Sequence, residues 1–430
     1  MKAILSNRIY MDNPGNAITK YIANTLTYKI VKNTGSKKFA AVETIKNYKL
    51  FNNGMISIPQ GRTDLVPENY EVIDKRSYNV VPFPSIKYDL RPEQQEIYEI
   101  ANDTCFINAL VGWGKTFTAL HIARKWQQKT LIITHTTALR DQWYEEIETL
   151  FNISPGIIGS GLFDIEDHCI VVGNVQSIVK YITKINKEFG TIILDEAHHC
   201  PATTFSSTID AFYARYRLGL SGTMTRKDGK HVIFQDYFGT TVFKPKQSNT
   251  INPIVHLVKS NITLKSNVSW TEKINELTQN DYYRKFIANI AKYHITAGHS
   301  VLIIADRVEF LEKVKEYVGE TCLLITGDTP AEERQIAKEQ ILNKTKMCIA
   351  GSRQIFSEGI SINALSCVIL AIPISNDSLL EQIIGRIMRE YKDKLNPLVI
   401  DIQFNGWLDK KQNNNRLSLY LKKGWEIITV

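Results

Sequence analysis

The run ALVGWGKT at Ala109–Thr116 combines two glycines, a lysine and a hydroxyl residue in an order suited to gripping phosphate. Gly112 and Gly114 let the backbone curl so that successive N–H groups face phosphate oxygens, and a helix starting there adds its partial positive charge. Lys115 is placed to reach the β and γ phosphates of ATP, and the Thr116 hydroxyl to ligate Mg2+. Ala109 stands where the strict pattern has its first glycine, and Trp113 between the glycines suits packing of the loop. An apolar stretch, CFINAL, precedes the loop and an amphipathic segment, Phe117–Trp126, follows it.

Further on, the apolar stretch Thr191–Leu194 runs into Asp195, Glu196, Ala197 and His198. A carboxylate at the C-terminal end of a buried strand sits in the crevice where open α/β sheets bind ligands. Asp195 then suits the Mg2+ shell, and Glu196 suits a base that orients the attacking water. Two acidic residues opening a solvated helix would look similar, and the phosphate loop is what favours the catalytic reading.

In the last quarter of the chain, Ser378-Leu-Leu-Glu381 reads as a capping box that opens a helix. Along that helix Gln382, Arg386 and Arg389 fall on one face at i, i+4 and i+7, with Ile383, Ile384, Ile387 and Met388 giving apolar contact. Two arginines shown together suit stabilisation of γ-phosphate charge. An amphipathic helix with a basic solvent face would carry the same pattern.

These residues need rigid elements to hold them, and the chain supplies the pattern for two sets. From about Asp89, short apolar runs (CFINAL, TLIITH, CIVVG, GTIILD, YRLGLS) alternate with helical segments, which predicts a parallel sheet covered on both faces. After a polar stretch, Lys244–Asn252, the alternation restarts with SVLIIA, CLLIT, KMCIA, CVILAI and PLVIDI. Residues 1–85 differ: short β-rich stretches at Thr25–Val31, Phe39–Thr44 and Met55–Ile58 lie between Asn/Gly turns. A small α+β domain is expected there, then lobes at 86–245 and 246–430.

A chain of 430 residues, 43% hydrophobic and 22% charged, fits two or three soluble domains. No apolar run approaches the roughly 20 residues of a membrane span, and the first residues lack a signal-peptide core, so a cytoplasmic protein is expected. The six cysteines are scattered without paired spacing, which predicts reduced thiols. His198, His199 and Cys200 are adjacent, and adjacent side chains converge poorly on one ion, so Mg2+ is the only metal expected. Residues 1–85 hold nine Lys and three Arg against three Asp and three Glu, a net of +6 out of the chain's +8. An anionic polymer is the natural partner of such a segment, with Lys29, Lys32, Lys37, Lys38, Lys46 and Lys49 as phosphate contacts. A basic surface that only aids solubility is the plainer alternative.

Further motifs stand in one order across residues 86–403: YDLRPEQQEI, LIITHTTALRDQW, GNVQSI, LGLSGTMTRKDG, ITGDTPAEER, IFSEGISIN and QIIGRIMRE. With the loop and DEAH they resemble superfamily 2 helicases and translocases of the DEAH type. The compact plan is similar to UvsW-type branch-migration helicases of phages, and more distantly to RecG and XPB types. The resemblance implies an α/β fold of two tandem RecA-like P-loop domains behind the small α+β domain. It implies ATP and Mg2+ as cofactors, and DNA, branched or forked, as partner.

It also implies roles by position. Arg91 and Gln94 would meet the adenine, and Gly359 would line the nucleotide site. Thr136, Arg140, Gln142, Gln176, Ser177 and Arg226 would contact the nucleic-acid backbone, while Thr326 and Gly327 would hold the tracking strand. Ser221, Thr223 and His198 would couple ATP state to grip. Lys115, Asp195, Glu196, Gln382, Arg386 and Arg389 would be catalytic. Gly222 and Met224 depart from the usual Ala and Pro, and Ser361 replaces an Asp, which implies weaker coupling because Ser carries no charge. A duplex translocase, an RNA helicase and a binding scaffold with a decayed ATPase remain open, and removal of residues 1–80 is expected to leave both lobes folded.

Overall fold

Runs such as Thr130–Thr134 and Thr191–Leu194 are apolar throughout because both faces of their sheet are covered; every residue in them is buried. The computed structural model describes residues 1–32, 41–109, 112–196, 202–222, 233–245, 251–264, 268–358, 362–405 and 407–430. Contacts divide it into two units, Met1–Gln247 and Ser248–Val430.

In the first unit the main sheet runs in the order Leu162–Asp164, Gly156–Gly159, Ile170–Asn174, Thr130–Thr134, Thr191–Leu194, Tyr216–Ser221, Cys105–Asn108, Val242–Phe243. All its pairings are parallel except that of the edge strand Leu162–Asp164. Successive side chains point to opposite faces, so the sheet separates two cores. Ile132, Ile193 and Leu218 pack on one side with the phosphate-loop helix. Leu131, Ile133 and Ile192 pack on the other. The second unit repeats the plan, with Cys322–Ile325, Cys348–Ser352, Val301–Ala305, Cys367–Leu370, Leu398–Asn405, Ile254–Thr263 and Glu426–Thr429 side by side and parallel. Two RecA-like domains are therefore present. Among the described residues no helix is long and apolar enough to cross a membrane.

The N-terminal segment is richer than its sequence pattern suggests. Besides the ribbon Thr27–Lys32 with Ala41–Lys46, it holds a five-stranded sheet in the order Lys49–Leu50, Ile56–Pro59, Arg8–Met11, Lys2–Leu5, Glu71–Asp74. Thr25 ends a helix, Gly15–Thr25, and does not start a strand. Ile9, Met11, Ile22, Ile56 and Ile58 form its own small core.

Its seam with the first lobe is polar and buried. Asp236, fully buried in the short helix Phe234–Phe238, accepts hydrogen bonds from the Tyr28 hydroxyl at 2.9 Å, Asn47 Nδ2 at 2.7 Å and Arg62 Nη1 at 3.1 Å. Burial pushes this carboxyl above its ordinary range, and those donors oppose the push. Asp210 takes the buried Arg8 guanidinium, and Arg217 Nη2 donates to the Asn7 carbonyl at 3.1 Å. Breaking a buried ion pair from one side costs about 3–5 kcal/mol, against a typical domain stability of 5–15 kcal/mol. Removing residues 1–80 would take away the donors of both carboxylates and uncover the seam, so the truncated first lobe is expected to be less stable than the full chain. Arg8 and Arg62 belong to this seam, and the outward charge of the segment is carried by lysines such as Lys29, Lys46 and Lys49, which are exposed.

Candidate functional site

The strand Cys105–Asn108 delivers the chain to the phosphate loop, and the helix Lys115–Trp126 leaves from it. Gly112 and Gly114 have φ of 90° and 91°, a region that favours glycine. A side chain at Gly114 would also stand 2.4 Å from Gln94 Nε2 and would force that amide to move. Trp113 is buried in the core, which bears out its packing role, and its carbonyl receives Arg91 Nη2 and, at 3.0 Å, Gln94 Nε2. Gln94 Oε1 in turn accepts from the Arg91 N–H at 3.0 Å. The two adenine candidates are thus fastened to the phosphate loop itself. Lys115 Nζ donates to the Ala109 carbonyl at 3.0 Å and lies 3.8 Å from Glu196 Oε1. Thr116, in the first turn of the helix, is half-buried.

Asp195 follows the strand Thr191–Leu194 and is buried. Its Oδ1 accepts the Glu196 N–H at 2.8 Å and its Oδ2 accepts the Trp143 indole N–H at 2.8 Å. Burial first, then the neighbouring Glu196, push its carboxyl up to about 6, against the pull of Lys115. Glu196 has φ of 47°, a conformation costing a non-glycine residue about 1–3 kcal/mol. Such strain sits where the backbone must turn sharply to present a side chain. Ser221 ends the strand Tyr216–Ser221, fully buried, and its carbonyl accepts the Ala109 N–H at 3.1 Å. The strand that ends at Ser221 therefore lies between the strands that lead to Asp195 and to the phosphate loop.

The other half of the same sheet edge gathers the candidates for nucleic acid. Two helices, Thr137–Phe151 and Val175–Ile185, start there and turn their N-termini outward, an arrangement that favours anions. Thr136 caps the first, its hydroxyl accepting the Leu139 N–H at 3.2 Å. Asn174 Nδ2 donates to Thr137 Oγ1 at 3.1 Å and so joins the two starts. Gln176 is exposed, while Gln142 and Ser177 are half-buried. Arg140 is buried, with its guanidinium on Asp141 and on Ser160 Oγ at 3.0 Å. It fastens the tight turn Gly159–Gly161, which no sequence motif had singled out.

In the second unit, Thr326 N donates to Thr329 Oγ1 at 2.9 Å, and Arg334 Nη2 clamps the Gly327 carbonyl at 2.9 Å. The arginine helix spans Asp377–Ile387, with Asn376 at its N-cap, so Ser378 does not open it. Gln382 and Arg386 are buried on it, and Arg386 Nε donates to the Phe356 carbonyl at 3.1 Å. Arg389 lies past the helix end, so the single-face expectation fails for it; its Nη1 donates to Asn363 Oδ1 at 3.2 Å instead. His198, Thr223, Met224, Arg226, Gly359, Ser361, Lys37 and Lys38 lie outside the described residues.

Residues 87–226 match the family model described as type III restriction enzyme, res subunit, and residues 281–390 match the helicase conserved C-terminal domain. The chain is 39% identical to the probable helicase D10 of Escherichia phage T5, covering 100% of this chain and 96% of that protein. It is a superfamily 2 helicase. The helicase is also 25% identical to the ATP-dependent DNA helicase uvsW of Enterobacteria phage T4, over 77% of this chain and 72% of that one. Dbp5 of S. cerevisiae, bound to RNA and ADP BeF3, superposes with a TM-score of 0.56 over 79% of this chain and 94% of its own, at 13% identity. That likeness speaks for the fold alone. As an enzyme the helicase is ATP-dependent.

Proposed function

We propose that the helicase is a DNA-dependent motor acting on branched DNA, such as forks or four-way junctions. The observation that carries this reading is the docked N-terminal segment. It adds exposed lysines to a lobe whose sheet edge already offers two helix N-termini to phosphate. A junction presents several duplex arms at once, and separate contacts for them yield avidity that linear DNA cannot supply.

In this reading Lys115 holds the β and γ phosphates, and Glu196 orients the attacking water. The donors at Thr116 and Asp195 are hard oxygens at the loop, and Mg2+ is commonly held by one or two carboxylates together with phosphates. That set fits the cation, which would neutralise phosphate charge there. Arg386 and Arg389 are the candidates to stabilise charge on the γ-phosphate, and Gln382 shares the helix of Arg386. Gln94 and Arg91 read the base and, through the Trp113 carbonyl, report its presence to the loop.

Truncation is a poor test of the N-terminal role, because it also removes the donors to Asp210 and Asp236. Replacing Lys29, Lys46 and Lys49 by Ala keeps the seam's donors Arg8, Tyr28, Asn47 and Arg62, and removes only the longer-range pull of Lys49 on Asp210. The triple variant is expected to reduce the log–log salt slope of DNA binding by up to about 0.9 per lysine that contacts phosphate. It should also lose preference for a four-way junction over linear duplex, both measured at matched salt. An unchanged junction-to-linear ratio would remove branch recognition from this segment, and tighter binding to RNA than to either DNA would replace the substrate.

A further inference from the structure

Three tryptophans share the first lobe's core, and their indole N–H groups are treated differently. Trp126 Nε1 donates to the Ala101 carbonyl at 3.2 Å, the usual solution for a buried indole. Trp113 Nε1 is buried with no hydrogen-bond partner among the described residues. Trp143 Nε1 donates to the carboxylate of Asp195 at 2.8 Å, across 52 residues of sequence. Trp143 is fully buried on the helix Thr137–Phe151, and the strand before that helix, Thr130–Thr134, pairs with the strand that ends at Asp195.

We propose that Trp143 is a positioning residue that sets the Asp195 carboxylate for the divalent cation of the nucleotide. This rests on the reading of Asp195 as a metal ligand. A carboxylate oxygen has two acceptor sites. With the indole on Oδ2 and the Glu196 N–H on Oδ1, rotation of the group is fixed and one site on each oxygen is filled. Partners of this outer kind orient metal ligands, and their loss typically costs 10–100-fold in metal affinity or activity. The indole also belongs to the helix that begins at Thr136 and carries Arg140. The element offering its N-terminus to nucleic acid is therefore one hydrogen bond from the metal ligand, inside a single lobe.

The test uses the full chain and a fluorescent ATP analogue, whose affinity is measured with Mg2+ and with EDTA. In the wild type Mg2+ is expected to strengthen binding. In Trp143→Phe that gain should fall by about 10–100-fold, with the EDTA affinity within about twofold of wild type. Trp126→Phe, which removes an indole bond from the same core, should keep the gain. An equal loss in both variants, or no loss in Trp143→Phe, overturns the proposal. A wild type indifferent to Mg2+ instead overturns the reading of Asp195 on which it rests. Should Trp143→Phe not fold, the six tryptophan indole signals of the 15N-labelled protein decide. One and the same signal is expected to move on Asp195→Asn and on adding Mg2+ with a non-hydrolysable ATP analogue. If different signals move, or none, Trp143 does not serve Asp195.

Discussion

Lys115→Ala and Glu196→Gln are each expected to lower ATP turnover by about 10²–10³-fold or more while leaving DNA affinity within a few-fold of wild type. Removing one preorganised group that acts on developing charge typically costs that much. Lys115 lies 3.8 Å from Glu196, and neither residue belongs to the helix starts at Thr137 and Val175, which follow the strands Thr130–Thr134 and Ile170–Asn174. Glu196→Gln keeps the size of the side chain and its strained backbone, so the fold has no reason to change. Phosphate release and DNA binding by fluorescence anisotropy would be measured on the same preparations. Wild-type turnover in both variants would remove the loop and Asp195–Glu196 from the chemistry. Equal losses of turnover and DNA binding would point to unfolding.

Arg389→Lys is expected to reduce turnover by about 10³-fold, the lower end of what such arginines contribute. Lysine keeps the charge and loses the planar fork that meets phosphate oxygens in pairs. Arg389 is the better probe of the two arginines. Arg386 is buried and bonded to the Phe356 carbonyl, so its replacement mixes stability with catalysis. Arg389 follows the helix and meets Asn363 at the surface, and its thermal midpoint as Lys should stay close to wild type. Normal hydrolysis by that variant would make the segment structural.

The phosphate loop and the Asp195 strand were legible in the sequence because each is a local device: strand, turn and helix within a dozen residues. Both lobes were legible for the same reason, through runs such as Val301–Ala305. Other features depend on distant partners. The half-buried Asp210 and the buried Asp236 find their cations at Arg8 and Arg62, about 200 and 174 residues away, and in the sequence those cations read as surface charge. Trp143 stood inside a recognised motif, but which acceptor a buried indole finds is decided by strand order. The strand Ile254–Thr263 was missed because His256, Lys259 and Ser260 interrupt its apolar pattern; it is only partly buried. Arg389 was placed on a helix face because periodicity carries no stop signal at Ile387, where the chain leaves the helix.

Spacing alone also left the catalytic state of the enzyme open, since Gly222 and Ser361 depart from the pattern of the family. Ser221, just before Gly222, is buried and bonded through its carbonyl to Ala109, so the strand it ends is linked to the loop despite the departure beside it.

The most direct test of a DNA-dependent motor is the rate of phosphate release by the wild-type chain, with Mg2+ and saturating ATP, alone and with four-way junction, linear duplex or RNA. The account predicts slow release alone and the largest stimulation by the junction. A rate that no nucleic acid changes, or no hydrolysis under any condition, would contradict it.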